Sequence, residues 1–298
     1  MEKDVNVALY GLGTMGMEVA IRLANRFKGL QVSDLNHVAV EHAQSNFSAR
    51  PITSPEDLKN TDFVVLCLPS PKATQSVLEQ IAPALKKEAI IIELSTVNPQ
   101  DIEASAHYLA NYGLEIIDAS LMAGVSQMRA GSATLLVGGE DKVIESSKVV
   151  LDAIATKQMI FGPRGSGAAA KVINNALAHA VMVVLAEAGA MASASKVSID
   201  KLIELWKDPQ MGIQRPLTHR LAERILNEDY GGGMPMDAAC KDSHLALSLA
   251  QSSGVPLFAI QACHSVYEMA VASGLARDDY AAVAKLWTQW GTPIRNDL

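Results

Sequence analysis

Lys171 and Asn175 stand four residues apart in the run Gly165-Ser166-Gly167-Ala168-Ala169-Ala170-Lys171-Val172-Ile173-Asn174-Asn175. On a helix that spacing projects an ammonium and an amide from one face, about one turn apart. The surrounding Gly and Ala are small enough to let a ligand or a second backbone approach closely. An alanine-rich setting also desolvates an amine. Its pKa then falls from about 10.4 toward neutrality, and the group can both take and give a proton. A lone helical lysine is ordinarily a solvated charge. Lys171 differs because it opens an apolar helix that follows a glycine fingerprint.

The fingerprint is Gly11-Leu12-Gly13-Thr14-Met15-Gly16, placed directly after a β-branched run. Gly11 permits a tight turn, Gly13 lets backbone N–H groups approach a pyrophosphate, and Gly16 lets a helix pack close to a sheet. The helix N-terminus adds partial positive charge for the phosphate. Asp34 follows Gly11 by 23 residues, at the end of the next strand. A carboxylate there accepts hydrogen bonds from ribose hydroxyls and repels a 2′-phosphate. Leu35, Asn36 and His37 supply no Lys or Arg, so NAD is expected over NADP. Two further segments, Leu68-Pro69-Ser70-Pro71 and Ser95-Thr96-Val97-Asn98, fall at carboxyl ends of strands, where cofactor-lining loops belong. The secondary reading of Ser95 and Thr96 is as turn or capping residues.

The elements that must position these groups alternate. Val5-Ala8, Leu30-Ser33, Phe63-Leu68, Ala89-Leu94, Glu115-Asp118 and Ala133-Val137 read as strands, several apolar on both faces, which predicts a parallel sheet covered on both sides. Met15-Phe27, Asn36-Gln44, Lys72-Leu85 and Pro99-Asn111 have the length and spacing of crossover helices. Glu140-Ala155 reads as a last helix, and Lys157-Phe161 as a terminal strand. Beyond Gly162-Pro163-Arg164-Gly165 only helical patterns continue, broken at Lys207-Gly212, Asp229-Met236 and Gly254-Pro256. The spacing thus predicts a dinucleotide-binding α/β domain over 1–163 and an all-helical domain over 164–298. Trp206, Met211 and Gln214 read as core packing ahead of pocket lining.

Bulk properties narrow the class. The chain has 298 residues, 49% hydrophobic and 19% charged, with a net charge of −7. This suits a soluble globular enzyme and argues against a nucleic-acid partner. Three widely spaced cysteines, Cys67, Cys240 and Cys263, fit reduced thiols in a cytoplasmic protein. Met1-Glu2-Lys3-Asp4 shows no signal peptide. The apolar stretch Ala176–Ala194, interrupted by His179, Glu187 and Gly189, reads as a buried helix rather than a membrane span. His179, His219 and His244 lack metal-ligand spacing, so no metal is expected.

With these residues in view, the chain resembles the β-hydroxyacid dehydrogenase family over essentially its full length. That family includes 3-hydroxyisobutyrate dehydrogenase, tartronate semialdehyde reductase and L-threonate dehydrogenase, with 6-phosphogluconate dehydrogenase as a larger relative. Four motifs match in order: Gly11–Gly16, Ser95-Thr96-Val97-Asn98-Pro99, Gly165–Asn175 and Lys241-Asp242-Ser243-His244-Leu245-Ala246. The resemblance implies a Rossmann-type domain, a long interdomain helix, a helical C-terminal domain, and a homodimer or homotetramer. It makes Lys171 the general acid/base, has Asn175 orient a small hydroxyacid or semialdehyde, and sets Lys241 against cofactor and active site. Asn174 and Asp242 are weaker candidates for substrate contact: Asn174 reads equally as a packing residue, and Asp242 equally as orienting Lys241 or as a plain helix acid.

One motif departs from the family. The expected D-A-P-V-S-G-G, whose Ser-Gly-Gly binds a substrate carboxylate, is here Asp118-Ala119-Ser120-Leu121-Met122-Ala123-Gly124. Met122 removes a hydroxyl donor, while the backbone N–H groups of Ala123 and Gly124 remain available to an anion. Met234 replaces an aromatic residue often found before the Lys-Asp pair. A pocket for something bulkier or less polar than 3-hydroxyisobutyrate is expected. Two competing readings share the scaffold. One is imine reduction, against which Lys171 argues, since imine reductases typically carry Asp or Tyr there. The other is a non-catalytic cofactor-bound interaction module, against which the presence of the lysine also argues.

Overall fold

The computed structural model describes residues 5–294, so the reading of Met1–Asp4 lies outside the described residues. The chain divides into two compact units, Met1–Ala176 and Leu177–Leu298.

The first unit is built on an eight-stranded sheet. Its strands are β1 (Val7–Tyr10), β2 (Gln31–Ser33), β3 (Arg50–Pro51), β4 (Phe63–Leu66), β5 (Ile90–Glu93), β6 (Glu115–Met122), β7 (Thr134–Gly138) and β8 (Lys157–Gly162). Their order is β3-β2-β1-β4-β5-β6-β7-β8. The helices are α1 (Thr14–Arg26), α2 (His37–Phe47), α3 (Pro71–Ile81), α4 (Pro99–Ala110), α5 (Val125–Arg129) and α6 (Asp141–Ile154). Alternate residues of the central strands feed two cores. Val7, Leu9, Val65 and Ile92 pack with Val19, Leu23 and Leu151 on one face. Ala8, Val64, Leu66 and Ile91 pack with Leu78 and Leu109 on the other. Burial on both faces is why these runs are continuously apolar, each large side chain contributing about 1.5–3 kcal/mol. At the start of α4, Asp101 accepts a hydrogen bond from the Asn98 N–H at 2.9 Å, and Pro99 occupies the first turn.

Three features differ from the sequence-based expectation. The sheet is not wholly parallel: β6 and β7 pair antiparallel, Asp118 opposite Gly138 and Met122 opposite Thr134. Only the short α5 and the turn at Gly131 (φ +71°) join them, too little chain for a parallel crossover. Strand β6 runs to Met122 rather than ending at Asp118, because Ala119–Met122 find ladder partners on β7. The strand β3 pairs only with β2, and its Pro51 is tolerated at that sheet edge.

The helix α7 (Ser166–Ala194) begins in the first unit. Its apolar stretch was expected to be buried, yet only 11% of its most apolar window is. Leu177 (63% exposed), Met182 and Val183 stay open, since an apolar pattern fixes which side chains seek cover but not that the same chain provides it. By length and composition the helix could cross a membrane. Its one buried charge is fully engaged: Glu187 accepts the N–H groups of Phe258, Ala259 and Ile260 at 2.7, 2.8 and 3.0 Å. Burial opposes ionisation of Glu187, but these three bonds outweigh it and hold the carboxyl below its ordinary range.

The remaining helices of the second unit are α8 (Ile199–Lys207), α9 (Met236–Ser252), α10 (Ala259–Ala270) and α11 (Ala284–Gln289), with π-helical segments at Pro216–Ile225 and Val271–Leu275 and a 3-10 turn at Tyr280–Val283. Met236, Ala270, Leu275, Ala282 and Leu286 form its core. Asp279 is fully buried and organises the loop before α9. It accepts from the Met234 N–H at 3.1 Å and the Ala281 N–H at 2.9 Å, and pairs with Arg220 at 3.2 Å. Gly233 (φ +71°) is required there, since a Cβ would come 2.1 Å from an Asp279 oxygen. Met211 is 48% exposed, so core packing does not account for it; the turn after α8 carries it outward.

Candidate active site

The glycine loop joins β1 to α1. Gly11 has φ +96°, and a Cβ on it would sit 2.1 Å from the Cys67 carbonyl oxygen. A Cβ on Gly16 would sit 2.0 Å from the Gly11 carbonyl oxygen. Both glycines are therefore demanded by the protein's own packing. Gly13 is different: nothing lies within 4 Å of where its Cβ would be. Gly13 also caps α1 without a side-chain hydrogen bond, leaving the first-turn N–H groups around Thr14, Met15 and Gly16 without a side-chain acceptor. Open space facing a helix N-terminus fits the diphosphate of a dinucleotide.

The loop is held from β2. The Leu12 N–H donates to one oxygen of Asp34 at 2.5 Å, and the Asn36 N–H donates to the other at 2.7 Å. Asp34 thus ties the end of β2 to the glycine loop, while Leu35 beside it is fully exposed. Ser95 is buried, and its hydroxyl accepts the Leu68 N–H at 2.8 Å. This joins the loops after β4 and β5, leaving Pro69 and Thr96 exposed at those strand ends. Below them Glu93, fully buried, accepts from Thr74 Oγ1 at 2.7 Å and the Ser95 N–H at 2.8 Å. Burial, with Glu93 adding to it, pushes the Cys67 thiol up to about 12, so Cys67 is no nucleophile.

Lys171 is positioned by β6. Residues Asp118, Ser120 and Met122 alternate onto one face of that strand. Asp118 is fully buried and accepts the Gly165 and Ala168 N–H groups, each at 2.7 Å. The carboxylate therefore caps α7, and Lys171 follows Ala168 by three residues on the same side. Gly167 makes the approach possible, since a Cβ there would lie 2.3 Å from the Leu136 carbonyl oxygen. Sequence reasoning missed this role of Asp118. The available signal was an acid closing the apolar pair Ile116-Ile117 at the end of a strand run, Glu115-Ile116-Ile117-Asp118.

The amine of Lys171 donates to Met122 Sδ at 3.5 Å, and the Asn174 amide approaches the same sulfur at 3.6 Å. Burial lowers the Lys171 pKa from its ordinary value. Asn175 is half-buried one turn on. The structure thus gathers Lys171, Asn174 and Met122. The Gly124 N–H, expected to be available to an anion, instead donates to Gln127 Oε1 at 2.7 Å, because α5 starts there and its side chain reaches back. Ala123 packs against the sheet core. On α9, Lys241 and Asp242 pair with each other at 3.1 Å, both largely exposed. Among the described residues no cluster of His, Cys, Asp or Glu could hold a metal ion.

A glycine loop with open space at Gly13, an acid at the end of β2 and a half-buried lysine near the start of α7 fit a nicotinamide-dinucleotide-dependent oxidoreductase scaffold. Comparison with known proteins agrees. Residues 6–162 match the family described as NAD binding domain of 6-phosphogluconate dehydrogenase. Residues 165–287 match NAD-binding of NADP-dependent 3-hydroxyisobutyrate dehydrogenase. The chain belongs to the β-hydroxyacid dehydrogenase family. It is 27% identical to 2-(hydroxymethyl)glutarate dehydrogenase of Eubacterium barkeri over 97% of both chains. Its fold is similar to that of an imine reductase variant from Myxococcus stipitatus in complex with NAD+, with TM-score 0.87, 16% identity and 95% and 99% coverage. It is also similar to the fold of 3-hydroxyisobutyrate dehydrogenase of Mycobacterium tuberculosis, with TM-score 0.66, 23% identity and 94% and 98% coverage.

Proposed function

We propose that this protein moves a hydride between NAD and a small β-hydroxyacid or the matching semialdehyde, with Lys171 as general acid/base. The observation that carries the reading is the half-buried Lys171 amine, its pKa lowered by burial, on the helix that Asp118 caps. Bound nicotinamide supplies the two-electron exchange. In oxidation, neutral Lys171 removes the hydroxyl proton; in reduction, the ammonium returns a proton to the nascent alkoxide. Asn175, one turn along the same helix, orients the substrate oxygen, with Asn174 beside it. Lys241, held by Asp242, and the exposed Pro69 and Thr96 line the cofactor. Asp34 favours NAD over NADP, because its carboxylate repels a 2′-phosphate and no cation stands at positions 35–37. The division of labour falls near residue 163, with the Rossmann-type domain before it and the helical domain, which contributes Lys241, after it.

A homo-oligomer in a reducing cytoplasm completes the reading. The exposed apolar side chains of α7 need a protein cover, and Cys67, Cys240 and Cys263 are unpaired. Imine reduction is the weaker alternative, since Lys171 has the chemistry of alcohol oxidation. The test is nicotinamide absorbance with NAD or NADP and a panel of β-hydroxyacids, against cyclic imines with the reduced cofactors. Turnover of hydroxyacids that Lys171→Ala abolishes is expected. Near-full turnover by Lys171→Ala sinks the assignment.

A further inference from the structure

Glu93 is a buried acid that the proposed chemistry does not use, and its contacts run to both ends of one segment. It closes β5, in register with Leu66 of β4 and Asp118 of β6. One carboxyl oxygen accepts the Thr74 hydroxyl of α3 at 2.7 Å. The other accepts the Ser95 N–H at 2.8 Å, and the Ser95 hydroxyl bonds the same carboxyl. That hydroxyl in turn accepts the Leu68 N–H at 2.8 Å. The carboxyl therefore grips residues 68–74 from both ends. Between the grips lie the exposed Pro69 and Ser70, whose hydroxyl accepts the Ala73 N–H at 3.2 Å at the start of α3.

The glycine loop rests on the near end of this segment. A Cβ at Gly11 would meet the Cys67 carbonyl oxygen at 2.1 Å and Leu68 Cδ2 at 3.2 Å, so a shift of Leu68 reaches the turn that opens toward the dinucleotide. Holding an acid at this depth is unfavourable. Burial pushes the Glu93 carboxyl above the usual carboxylate range, and Asp118 on the next strand adds to the push. The preceding strand positions carry Ile90, Ile91 and Ile92 instead, so filling the core does not account for a carboxyl here.

We infer that Glu93 is a positioning residue for the nicotinamide dinucleotide: through Ser95 and Thr74 it clamps residues 68–74 against the glycine loop and presents Pro69 and Thr96 to the cofactor. The inference rests on the reading of these strand-end loops as cofactor-lining, and is independent of the proton-transfer role of Lys171. Glu93 touches neither substrate nor cofactor; it acts through the backbone it holds.

The experiment titrates NADH, by its fluorescence, into the full-length protein and a set of variants. Glu93→Ala is expected to raise the dissociation constant roughly tenfold or more, the scale on which a loosened support is felt at a site. Ser95→Ala keeps the carboxyl and removes only the acceptor of Leu68, so it should raise the constant severalfold and stands in should Glu93→Ala fail to fold. Glu93→Gln keeps an oxygen for Ser95 and turns its NH2 group to the Thr74 hydroxyl, which can accept as well as donate, so affinity should stay within about threefold of the wild type. Ser147→Ala removes an equally buried hydroxyl on α6 and should leave affinity unchanged, whereas a general loss of packing would move it too. In turnover of a hydroxyacid, Glu93→Ala should raise KM for NAD while KM for the acid and the pH profile hold. Wild-type affinity in Ser95→Ala, equal weakening by Ser147→Ala, or a Glu93→Gln protein as weak as Ser95→Ala overturns the inference. Full turnover by Lys171→Ala would sink the catalytic reading without touching these affinities, and a wild type that does not bind NADH would sink both.

Discussion

Replacing Lys171 by Met removes the amine and keeps an unbranched side chain of similar length. Two consequences follow, and they point in opposite directions. General acid/base catalysis contributes about 10²–10⁴-fold, so kcat should fall by that factor, equivalent to about 2.7–5.5 kcal/mol of barrier. Stability should not fall with it. The amine is half-buried, burial lowers its pKa, and the hydrogen bond it loses is to a thioether. The variant should therefore unfold at an equal or higher urea concentration at neutral pH. The pH dependence fixes the sign. A lysine with a depressed folded-state pKa binds fewer protons folded than unfolded between that pKa and about 10.5, so its contribution to stability rises with pH across this window. The wild-type minus variant difference in unfolding free energy should therefore climb as pH rises toward 10.5. In the wild type, oxidative kcat/KM should rise with pH up to the Lys171 pKa, while reduction falls. Steady-state rates across pH and urea titrations at two pH values test both arms. A variant within tenfold of wild-type kcat, or one losing stability by more than about 1.5 kcal/mol, would refute the reasoning.

Other substitutions separate packing from ligand binding. Gly16→Ala forces a Cβ to 2.0 Å from the Gly11 carbonyl oxygen and should cost about 1–3 kcal/mol in thermal or urea unfolding. Gly13→Ala meets open space, so it should unfold like the wild type yet bind NAD roughly tenfold more weakly by fluorescence titration; tight binding would remove Gly13 from the cofactor site. Asp34→Asn keeps the shape but gives up the charge-assisted bond from the Leu12 N–H, and its NAD-to-NADP affinity ratio should drop severalfold. Glu187→Ala deprives three N–H groups of their acceptor, and should cost about 3 kcal/mol or more. The stabilisation from Glu187 should be present above about pH 4.3, its unfolded value, and lost as pH falls through the depressed folded value, which acid titration of the two proteins compares directly.

What the chain revealed in advance follows the range of each interaction. The alternation of apolar runs and helical patterns gave the strands and crossover helices because burial on both sheet faces imprints itself on every residue of a short run. The glycine loop was legible because Gly11 and Gly16 are fixed by backbone contacts made within a few residues or at one neighbouring strand. The reversal of β7 was not, since its direction depends on how much chain joins it to β6 and on which ladder Ala119–Met122 prefer. The exposure of α7 escaped for a related reason: periodicity reports that a face is apolar, not what covers it. The engagement of the Gly124 N–H by Gln127 was hidden as well, because a glutamine that closes its own helix turn looks like any solvated surface residue.

Asp118 explains why the site is legible only in part. Its two accepted bonds fix where α7 begins, and the same strand face, two pleats further on, presents Met122. The backbone separation of Lys171 and Met122 is therefore set by strand geometry on one side and one helical turn on the other, and the two flexible side chains close the remaining gap. Shortening or lengthening β6 by one residue would turn Met122 to the opposite sheet face while leaving Asp118 on the cap. A substitution at position 122 consequently changes what the amine faces without moving the Lys171 backbone. On the proposed role of Lys171, specificity at the end of β6 can thus change while the proton-transfer group keeps its place on α7.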